Sequence, residues 1–307
     1  MITVKGRAGV LEQAENSSDL NGKMLSNFLD SLIPNAPNLE HVCLQTGSEH
    51  YLGSHEISSM DMITDFHDAP FHERLPRMQN CSNFSYYKLE DVLFEKLGAQ
   101  SEIKISWSVH RPALILLGFS PSSSSNSKNL LAALSVYAAI CKKEGRRFRF
   151  PGNSVTWEGL MDASDAELIA EQQIWACVEA NGKNQAFNVT NGDVFRWKKL
   201  WTFLAEKLGV EPGDYDGRGF SMAEEMKDKS GVWEEIVKEN GLVENWFEEF
   251  GEQWWLYVDR ILNKNLNLKN AVSSMNKSKE HRFLGFQNTE SSCVEWIDML
   301  RNHKIIP

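Results

Sequence analysis

The stretch CLQTGSEHYLG, residues 43–53, constrains the fold most, because an apolar run ends there abruptly in polar and glycine residues. Residues 42–44 are apolar, as a buried strand requires, and Gln45 begins the polar part. The carboxyl end of a buried parallel strand changes in this way where it delivers a loop to a binding site. The segment therefore predicts a short buried strand followed by a functional loop.

Helical and strand-like segments alternate through the first two thirds of the chain. Apolar residues recur at helical spacing within residues 24–32, 87–97 and 130–141, while strand-like runs cover residues 105–111 and 186–189. This alternation predicts an α/β protein whose parallel sheet is covered on both faces. The remaining third is mostly helical in pattern, which predicts a helical cap.

Several local signals add detail to this prediction. We expect Pro34 to stop the first helix, and residues 147–150 to form a short strand. A helix after the turn TNGD would place Val194 on the same face as Trp197. The serine-rich residues 120–129 predict a mobile loop.

Charge and cysteine usage narrow the function classes. The formal net charge of −10 argues against nucleic acid and anionic membranes as partners. The cysteines are five in number, scattered and without CxxC spacing, which argues against a zinc site and predicts thiols in a reducing compartment. The absence of a signal-peptide core and of a long apolar run predicts a cytoplasmic protein.

Two adjacent tyrosines, Tyr86 and Tyr87, stand at the start of a predicted helix in the stretch NFSYYKLED. A tyrosine hydroxyl can donate a hydrogen bond to a carbonyl oxygen that gains negative charge during reduction. Taken alone, the pair also fits simple packing or capping. The surrounding motifs decide between these interpretations.

The chain resembles the progesterone 5β-reductase and iridoid synthase family of plants, which are atypical extended short-chain dehydrogenase/reductases. The resemblance runs from about residue 12 to residue 307. It rests on the ordered motifs LQTGSEHYLG, NFSYYKLED, WSVHRP, GFSP, CKKEGRRFRFPG, SDAELIAEQQIWA, AFNVTNGDVFRWKKLW, MNKSKEH and FLGF. It implies a Rossmann-like sheet with a mainly helical C-terminal cap. We therefore predict a partial NADP-binding domain over residues 1–155 and a helical substrate region over residues 156–307, with strands returning to the sheet.

The resemblance also implies an activity, which is NADPH-dependent reduction of the C=C bond of a steroid or monoterpenoid enone. The family's catalytic tyrosine corresponds to Tyr87, with Tyr86 as the alternative because Ser85 is inserted before the pair. The cofactor-binding positions carried over are Gln45, Pro112, Leu116 and Ser123. For Pro112, a simple strand end is the alternative interpretation.

The chain departs from the family pattern in two ways. The first is Glu49, which occupies the position of the family's lysine. A lysine cation lowers the pKa of the tyrosine, whereas a carboxylate raises it. Lys88 is expected to point away, and Asp91 occupies the position four residues after Tyr87. We expect reduced turnover with a retained pocket.

The second departure concerns the phosphate loop, since no GxGxxG or GxxGxxG follows an apolar strand. We expect the first strands and the glycine turn to be absent, through a shortened reading frame or a truncated paralogue. A sheet without those strands exposes an edge, which argues against a stable monomer and admits a homodimer.

Two other interpretations stay open. The chain could be a non-catalytic relative that binds a terpenoid or steroid, or that serves as an interaction subunit. A sugar-nucleotide epimerase would share the fold class but lacks these motifs.

Overall fold

The computed structural model describes residues 14–52, 67–78, 84–98, 105–118, 129–243, 246–263 and 270–307. Their strands are β1 (His41–Gln45), β2 (Ser106–Pro112), β3 (Leu114–Leu117), β4 (Leu160–Met161), β5 (Ala163–Asp165), β6 (Gln185–Val189) and β7 (Asn270–Ala271). Their helices are α1 (Ala14–Asn35), α2 (Ser85–Gly98), α3 (Leu130–Lys143), α4 (Ser154–Glu158), α5 (Ala166–Val178), α6 (Trp197–Leu208), α7 (Met222–Met226), α8 (Ser230–Asn240), α9 (Trp246–Leu262), α10 (Asn276–Glu280) and α11 (Thr289–Asn302).

The chain forms two compact units, each assembled from three segments. Unit 1 contains Met1–Ala113, Leu168–Thr190 and Ser273–Gly285, and unit 2 contains Leu114–Glu167, Asn191–Val272 and Phe286–Pro307. The predicted division at residue 155 coincides with neither unit, because the chain passes between them five times. Sequence patterns along the chain do not reveal such crossings.

Unit 1 is built on a parallel sheet with the strand order β1-β2-β6. The α/β prediction with a parallel sheet is thus confirmed, as are the strands predicted at residues 42–44, 105–111 and 186–189. One face of the sheet packs on α1 and α2 through aliphatic side chains. This core contains Leu25, Leu29, Leu44, Val92, Leu93, Leu97, Ile105 and Val109.

Unit 2 has an apolar core around α3, whose side chains are almost all buried. Two short parallel pairs, β3–β5 and β4–β7, lie beside the helices. The rings of Phe148 and Trp201 stack with centroids 4.0 Å apart in this core. The Asp165 carboxylate accepts a hydrogen bond from the Glu167 backbone N–H at 2.7 Å, which fixes the start of α5.

Three local predictions require correction. α1 continues through Pro34 to Asn35, and the Asn35 amide donates to the Ser31 carbonyl at 2.8 Å near the helix end. Residues 147–150 form only a single bridge, from Phe148 to Pro212. Val194 is 52 % exposed and precedes α6.

Two further points concern individual segments. β3 was not predicted, since residues 105–111 were expected to end in a proline turn. The predicted loop over residues 120–129 falls almost wholly outside the described residues. Among the helices that the structure describes, none is both long and apolar enough to cross a lipid bilayer.

The apolar contact of α1 with the sheet makes a stability prediction. Leu29 is 0 % exposed and Leu20, on the same helix, is 62 % exposed. We expect Leu29→Ala to lower the free energy of unfolding by about 2–5 kcal/mol through lost burial and a residual cavity. The matched control Leu20→Ala should change it by less than about 0.5 kcal/mol. Urea denaturation of both variants tests this, and equal effects would contradict the assigned burial.

Candidate active site

The loop after β1 begins at the carboxyl edge of the sheet in unit 1. The Thr46 N–H donates to the His110 carbonyl at 2.8 Å, which extends the β1–β2 pairing by one residue. Gly47 then precedes a short 3-10 helix, Ser48–Tyr51. A Cβ on Gly47 would lie 3.1 Å from Cε2 and 3.2 Å from the hydroxyl of Tyr86. The absence of a side chain at Gly47 therefore lets the Tyr86 ring lie directly against the loop backbone.

Tyr87 has a different environment from its neighbour. Its hydroxyl donates to the His50 carbonyl at 2.6 Å and accepts from the Met78 N–H at 2.9 Å. The residue is 2 % exposed, and its ring meets those of His50 and Phe84 edge to face. The Tyr87 hydroxyl thus ties two backbone segments together and has its only proton directed at a carbonyl.

A buried ion pair lies beneath this loop. Glu90 on α2 is 2 % exposed, and its Oε1 accepts hydrogen bonds from Arg111 Nη2 at 2.8 Å and Nε at 3.2 Å. Its second oxygen, Oε2, lies 3.3 Å from Nη2 of Arg77. His50 Nδ1 lies 3.4 Å from Glu90 Oε1, without a well-aligned hydrogen bond. The pair therefore joins α2, β2 and the 3-10 helix.

The electrostatic balance of this cluster favours a charged Glu90 and a neutral His50. Burial alone would raise the pKa of Glu90, but contact with His50 and the charge of Arg111 outweigh it and lower the pKa to about 2. Burial lowers the pKa of His50, and the partial opposition of Glu90 does not reverse that direction. At neutral pH the cluster holds a carboxylate, two guanidinium groups and an uncharged imidazole.

The ion pair continues into a second set of polar contacts. Arg111 Nη1 donates to the Tyr51 hydroxyl at 3.3 Å, and that hydroxyl donates to Asn188 Oδ1 at 2.6 Å. Asn188 Nδ2 in turn contacts the carbonyls of Phe71 at 3.0 Å and Ser274 at 3.2 Å. Burial raises the pKa of Tyr51 to about 12, so its proton stays in place. The C-terminal end of the 3-10 helix is thereby fixed to the sheet.

Three of the predicted site residues lie at the carboxyl edge of the sheet in unit 1. Gln45 is exposed at the end of β1, and its Oε1 accepts from Gln173 Nε2 at 2.9 Å. Glu49 is half-buried in the first turn of the 3-10 helix. Pro112 is buried at the end of β2, opposite Val189 on β6.

The other two cofactor-binding predictions are Leu116 and Ser123. Leu116 on β3 belongs to the core of unit 2 and is 1 % exposed, so its side chain packs against protein. Ser123 lies outside the residues that the structure describes. Gln45 and Glu49 thus lie on either side of Gly47, which contacts Tyr86, and Pro112 lies at the neighbouring strand end.

As expected, Lys88 does not replace the family's lysine, whose position Glu49 occupies. Its side chain lies along α1, so that a Cβ added to Gly22 would be 2.8 Å from Lys88 Cγ. The Lys88 Nζ lies 3.9 Å from Asp19 Oδ1. Asp91 pairs with Arg77 at 2.7 Å. The Arg77 guanidinium sits 4.9 Å from the Tyr87 ring centroid, whereas Arg111 contacts the hydroxyl of Tyr51.

Comparison with known families decides the assignment of the chain. A family model described as the PRISE-like Rossmann-fold domain matches residues 11–307. The chain belongs to this family. An (S)-8-oxocitronellyl enol synthase of Nepeta racemosa is 50% identical over 294 residues, which cover 95% of this chain and 71% of that protein. A 3-oxo-Δ(4,5)-steroid 5β-reductase of Arabidopsis thaliana is 49% identical over 297 residues, covering 96% of this chain and 72% of the relative. The PRISE-like family is thus represented among these relatives by named enzymes.

Solved structures place the PRISE-like chain in the same fold at much lower identity. RMD of Pseudomonas aeruginosa, solved in complex with NADPH, has a TM-score of 0.61 and 13% identity, covering 96% of this chain and 77% of that one. UDP-glucose 4-epimerase of Thermotoga maritima has a TM-score of 0.59 and 12% identity, covering 97% of this chain and 76% of that one. At these identities the likeness establishes the fold alone.

Sequence reasoning assigned the family correctly but missed the buried polar network. His50, Tyr51, Glu90 and Arg111 all lie inside the stretches LQTGSEHYLG, NFSYYKLED and WSVHRP on which the resemblance rests. The available signal was the presence of a histidine, a glutamate and an arginine within these motifs. Asn188 carried a weaker signal, because an asparagine within a strand run is unremarkable until its neighbours are known.

The low pKa of Glu90 predicts a pH-dependent contribution to stability. In the folded state the pKa falls from 4.5 to about 2, so the stabilisation is complete above pH 4.5 and is lost as pH falls toward 2. We expect Glu90→Gln to lower the free energy of unfolding by about 3 kcal/mol at pH 7, with a smaller difference at pH 3. Urea denaturation across this range tests the expectation.

Asp91→Asn is the matched control for this prediction. Asp91 also pairs with Arg77, but its side chain is 58% exposed, so its removal should cost little at any pH. A Glu90→Gln effect as small as that of Asp91→Asn would contradict the role of the buried pair.

Proposed function

We propose that this chain catalyses the NADPH-dependent reduction of the C=C bond of an enone of the steroid or monoterpenoid type. Its relatives at 49–50% identity include a steroid 5β-reductase and an 8-oxocitronellyl enol synthase, which supports a substrate with a conjugated carbonyl. The Rossmann fold and the NADPH complex of a structural neighbour support a nicotinamide cofactor. Polar loops at the carboxyl edge of a parallel sheet suit such a cofactor, with Gln45 and Pro112 as the proposed contacts.

The observation that carries this proposal is the position of Tyr86 across Gly47. NADPH, when bound, supplies the hydride that adds to the β carbon of the enone. The carbonyl oxygen of the substrate then gains negative charge, and a phenol that donates a hydrogen bond to it stabilises the enolate. We propose Tyr86 for this task, because its hydroxyl lies at the bare backbone of the loop after β1.

Tyr87, the first choice from the sequence, is better suited to holding the loop. Donation to a substrate would require its hydroxyl to leave the His50 carbonyl at 2.6 Å and to abandon the Met78 N–H. Both groups would then be buried without partners, at a cost of about 1–3 kcal/mol each. We therefore assign Tyr87 a positioning role and keep Tyr86 as the catalytic residue.

Glu49 supports a second candidate function, that of a non-catalytic binder of a terpenoid or steroid. A carboxylate beside the loop raises the pKa of a nearby phenol and offers no cation to the nicotinamide ribose. The reaction tolerates this change better than alcohol oxidation would, because the phenol stays protonated while it donates to the enolate. Slow turnover with intact binding is the outcome that fits both the family and Glu49.

The two tyrosines make a paired prediction. Tyr86→Phe should lower kcat for NADPH-dependent reduction of a 3-oxo-Δ4 steroid about 100-fold and leave the melting temperature nearly unchanged. Tyr87→Phe should reduce the free energy of unfolding by about 1–3 kcal/mol and affect kcat less. Spectrophotometric NADPH consumption and thermal melts measure both. Reversed roles would return the catalytic assignment to Tyr87, and a wild-type chain that binds NADPH without any turnover would favour the non-catalytic alternative.

Glu49→Lys makes the next prediction. A lysine at this position should raise the rate of enone reduction, because a nearby cation orients the cofactor ribose and lowers the pKa of the phenol. Glu40→Lys, the same charge change at an exposed residue just before β1, should leave the rate unchanged. If both variants behave like the wild type while NADPH still quenches tryptophan fluorescence, Glu49 does not limit turnover.

The cellular setting is proposed along with the activity. The acidic composition and the predicted reducing compartment support a cytoplasmic protein. Among the described residues β1 pairs with β2 alone, and an edge left unpaired there would support the expected homodimer. Sedimentation equilibrium measures this state directly.

A further inference from the structure

A second polar cluster lies on the face of the unit 1 sheet that α5 covers. The register places His41 opposite Ser106, Cys43 opposite Ser108 and Gln45 opposite His110, so these side chains share one face. Cys177 reaches the same place from the last turn of α5, with its Sγ 3.4 Å from Cys43 Sγ. Both cysteines carry free thiols. The fold thereby joins residues that are 134 positions apart in the sequence.

Hydrogen bonding fixes the tautomer of His41. The Ser106 hydroxyl donates its only proton to the Glu40 carbonyl at 3.0 Å, and a carbonyl can only accept. Ser106 Oγ must then accept from His41 Nδ1–H, which lies 2.8 Å away. The other ring nitrogen, Nε2, therefore presents a lone pair toward Ser108, 2.9 Å away.

The same reasoning applied to His110 reveals a shortage of protons. The Gln172 side-chain atom that lies 3.0 Å from the Asn188 carbonyl must be the amide nitrogen Nε2, because a carbonyl only accepts hydrogen bonds. The other side-chain atom, Oε1, is therefore an acceptor. His110 Nδ1–H therefore donates to Gln172 Oε1 at 2.7 Å, and its Nε2 is also a lone pair, 2.8 Å from Ser108 Oγ. Ser108 has one proton for two imidazole lone pairs. One of the two imidazole lone pairs therefore receives no hydrogen bond from the Ser108 hydroxyl.

We propose that His41 Nε2, Cys43 Sγ and Cys177 Sγ form a binding site for a thiophilic divalent cation of the zinc class. A ring nitrogen of His41 and the two sulfurs lie within 4.8 Å of one another, and all three residues are half-buried. Two sulfurs and one imidazole nitrogen are a donor set that zinc favours, with water completing a tetrahedron. A cation here satisfies the His41 lone pair and leaves the Ser108 proton for His110.

The distances suit this occupant with little movement. Zinc–sulfur bonds of about 2.3 Å at a tetrahedral angle separate two sulfurs by about 3.8 Å. The observed 3.4 Å between the thiols is a few tenths of an ångström shorter. Ser106 already holds His41 Nδ1–H, which is the outer contact that metal-binding histidines characteristically make. On binding, both thiols lose their protons to water, so one ion displaces two protons and the site becomes neutral.

Cobalt absorption tests the proposal on the full chain, reduced with a phosphine. Titration with Co²⁺ alone should give one equivalent with thiolate charge-transfer bands, and Zn²⁺ should displace it. Cys43→Ser and Cys177→Ser should each abolish the bands, while Ser106→Ala should weaken affinity about tenfold by releasing the imidazole. Cys293→Ala, which removes a buried thiol in unit 2, is the matched control and should keep the bands.

Alkylation of the wild-type chain provides a readout that does not depend on variant folding. Zn²⁺ should protect Cys43 and Cys177 from iodoacetamide in peptide mass spectra, and addition of the ion at pH 7 should release two protons. Unchanged labelling, or cobalt bands that survive in both serine variants, would overturn the site. A reduced chain that binds no metal but forms a Cys43–Cys177 disulfide with hydrogen peroxide would overturn it in favour of a redox pair.

Discussion

The buried pairing of Glu90 with Arg111 is the constraint on which the loop geometry of unit 1 depends. A carboxylate and a guanidinium removed from water cost several kcal/mol each unless every polar atom finds a partner. Here the partners come from α2, β2, the 3-10 helix and, through Tyr51 and Asn188, from β6. Satisfying the pair therefore sets the position of α2 relative to the strand ends, and with it the approach of Tyr86 to Gly47.

The central sheet of unit 1 separates two kinds of chemistry by the alternation of its strands. On β1, Val42 and Leu44 point to the aliphatic face under α1 and α2, whereas His41 and Cys43 point to the polar face under α5. One strand thus contributes to the apolar core, to a sulfur and imidazole cluster, and through its carboxyl end to the loop of the proposed active site. This arrangement leaves each of its residues little freedom to change.

Much of the fold followed from the sequence, because periodicity reports local structure directly. The strands at β1, β2 and β6 and the helix at α3 were all predicted from their apolar spacing. The division into units was not, since it depends on where the chain crosses, and no local pattern encodes that. At the site, the motifs identified Tyr86 and Tyr87 as a pair, but the hydrogen bonds from Met78 and to His50 were needed to tell them apart. The cysteines looked unrelated because the residues that join Cys43 to Cys177 are contributed by the fold.

The three-segment construction of unit 1 has a consequence for the order in which the molecule forms. Its sheet lacks β6 until residue 189 has been synthesised, and the bridge from Phe71 to Ser273 closes only after residue 273 has been added. The first segment of unit 1 therefore precedes Asn188 and Ser274 in synthesis and gains its polar contacts with them only later. Contacts between such distant parts of the chain slow folding, so the unit that carries the proposed chemistry is expected to form slowly.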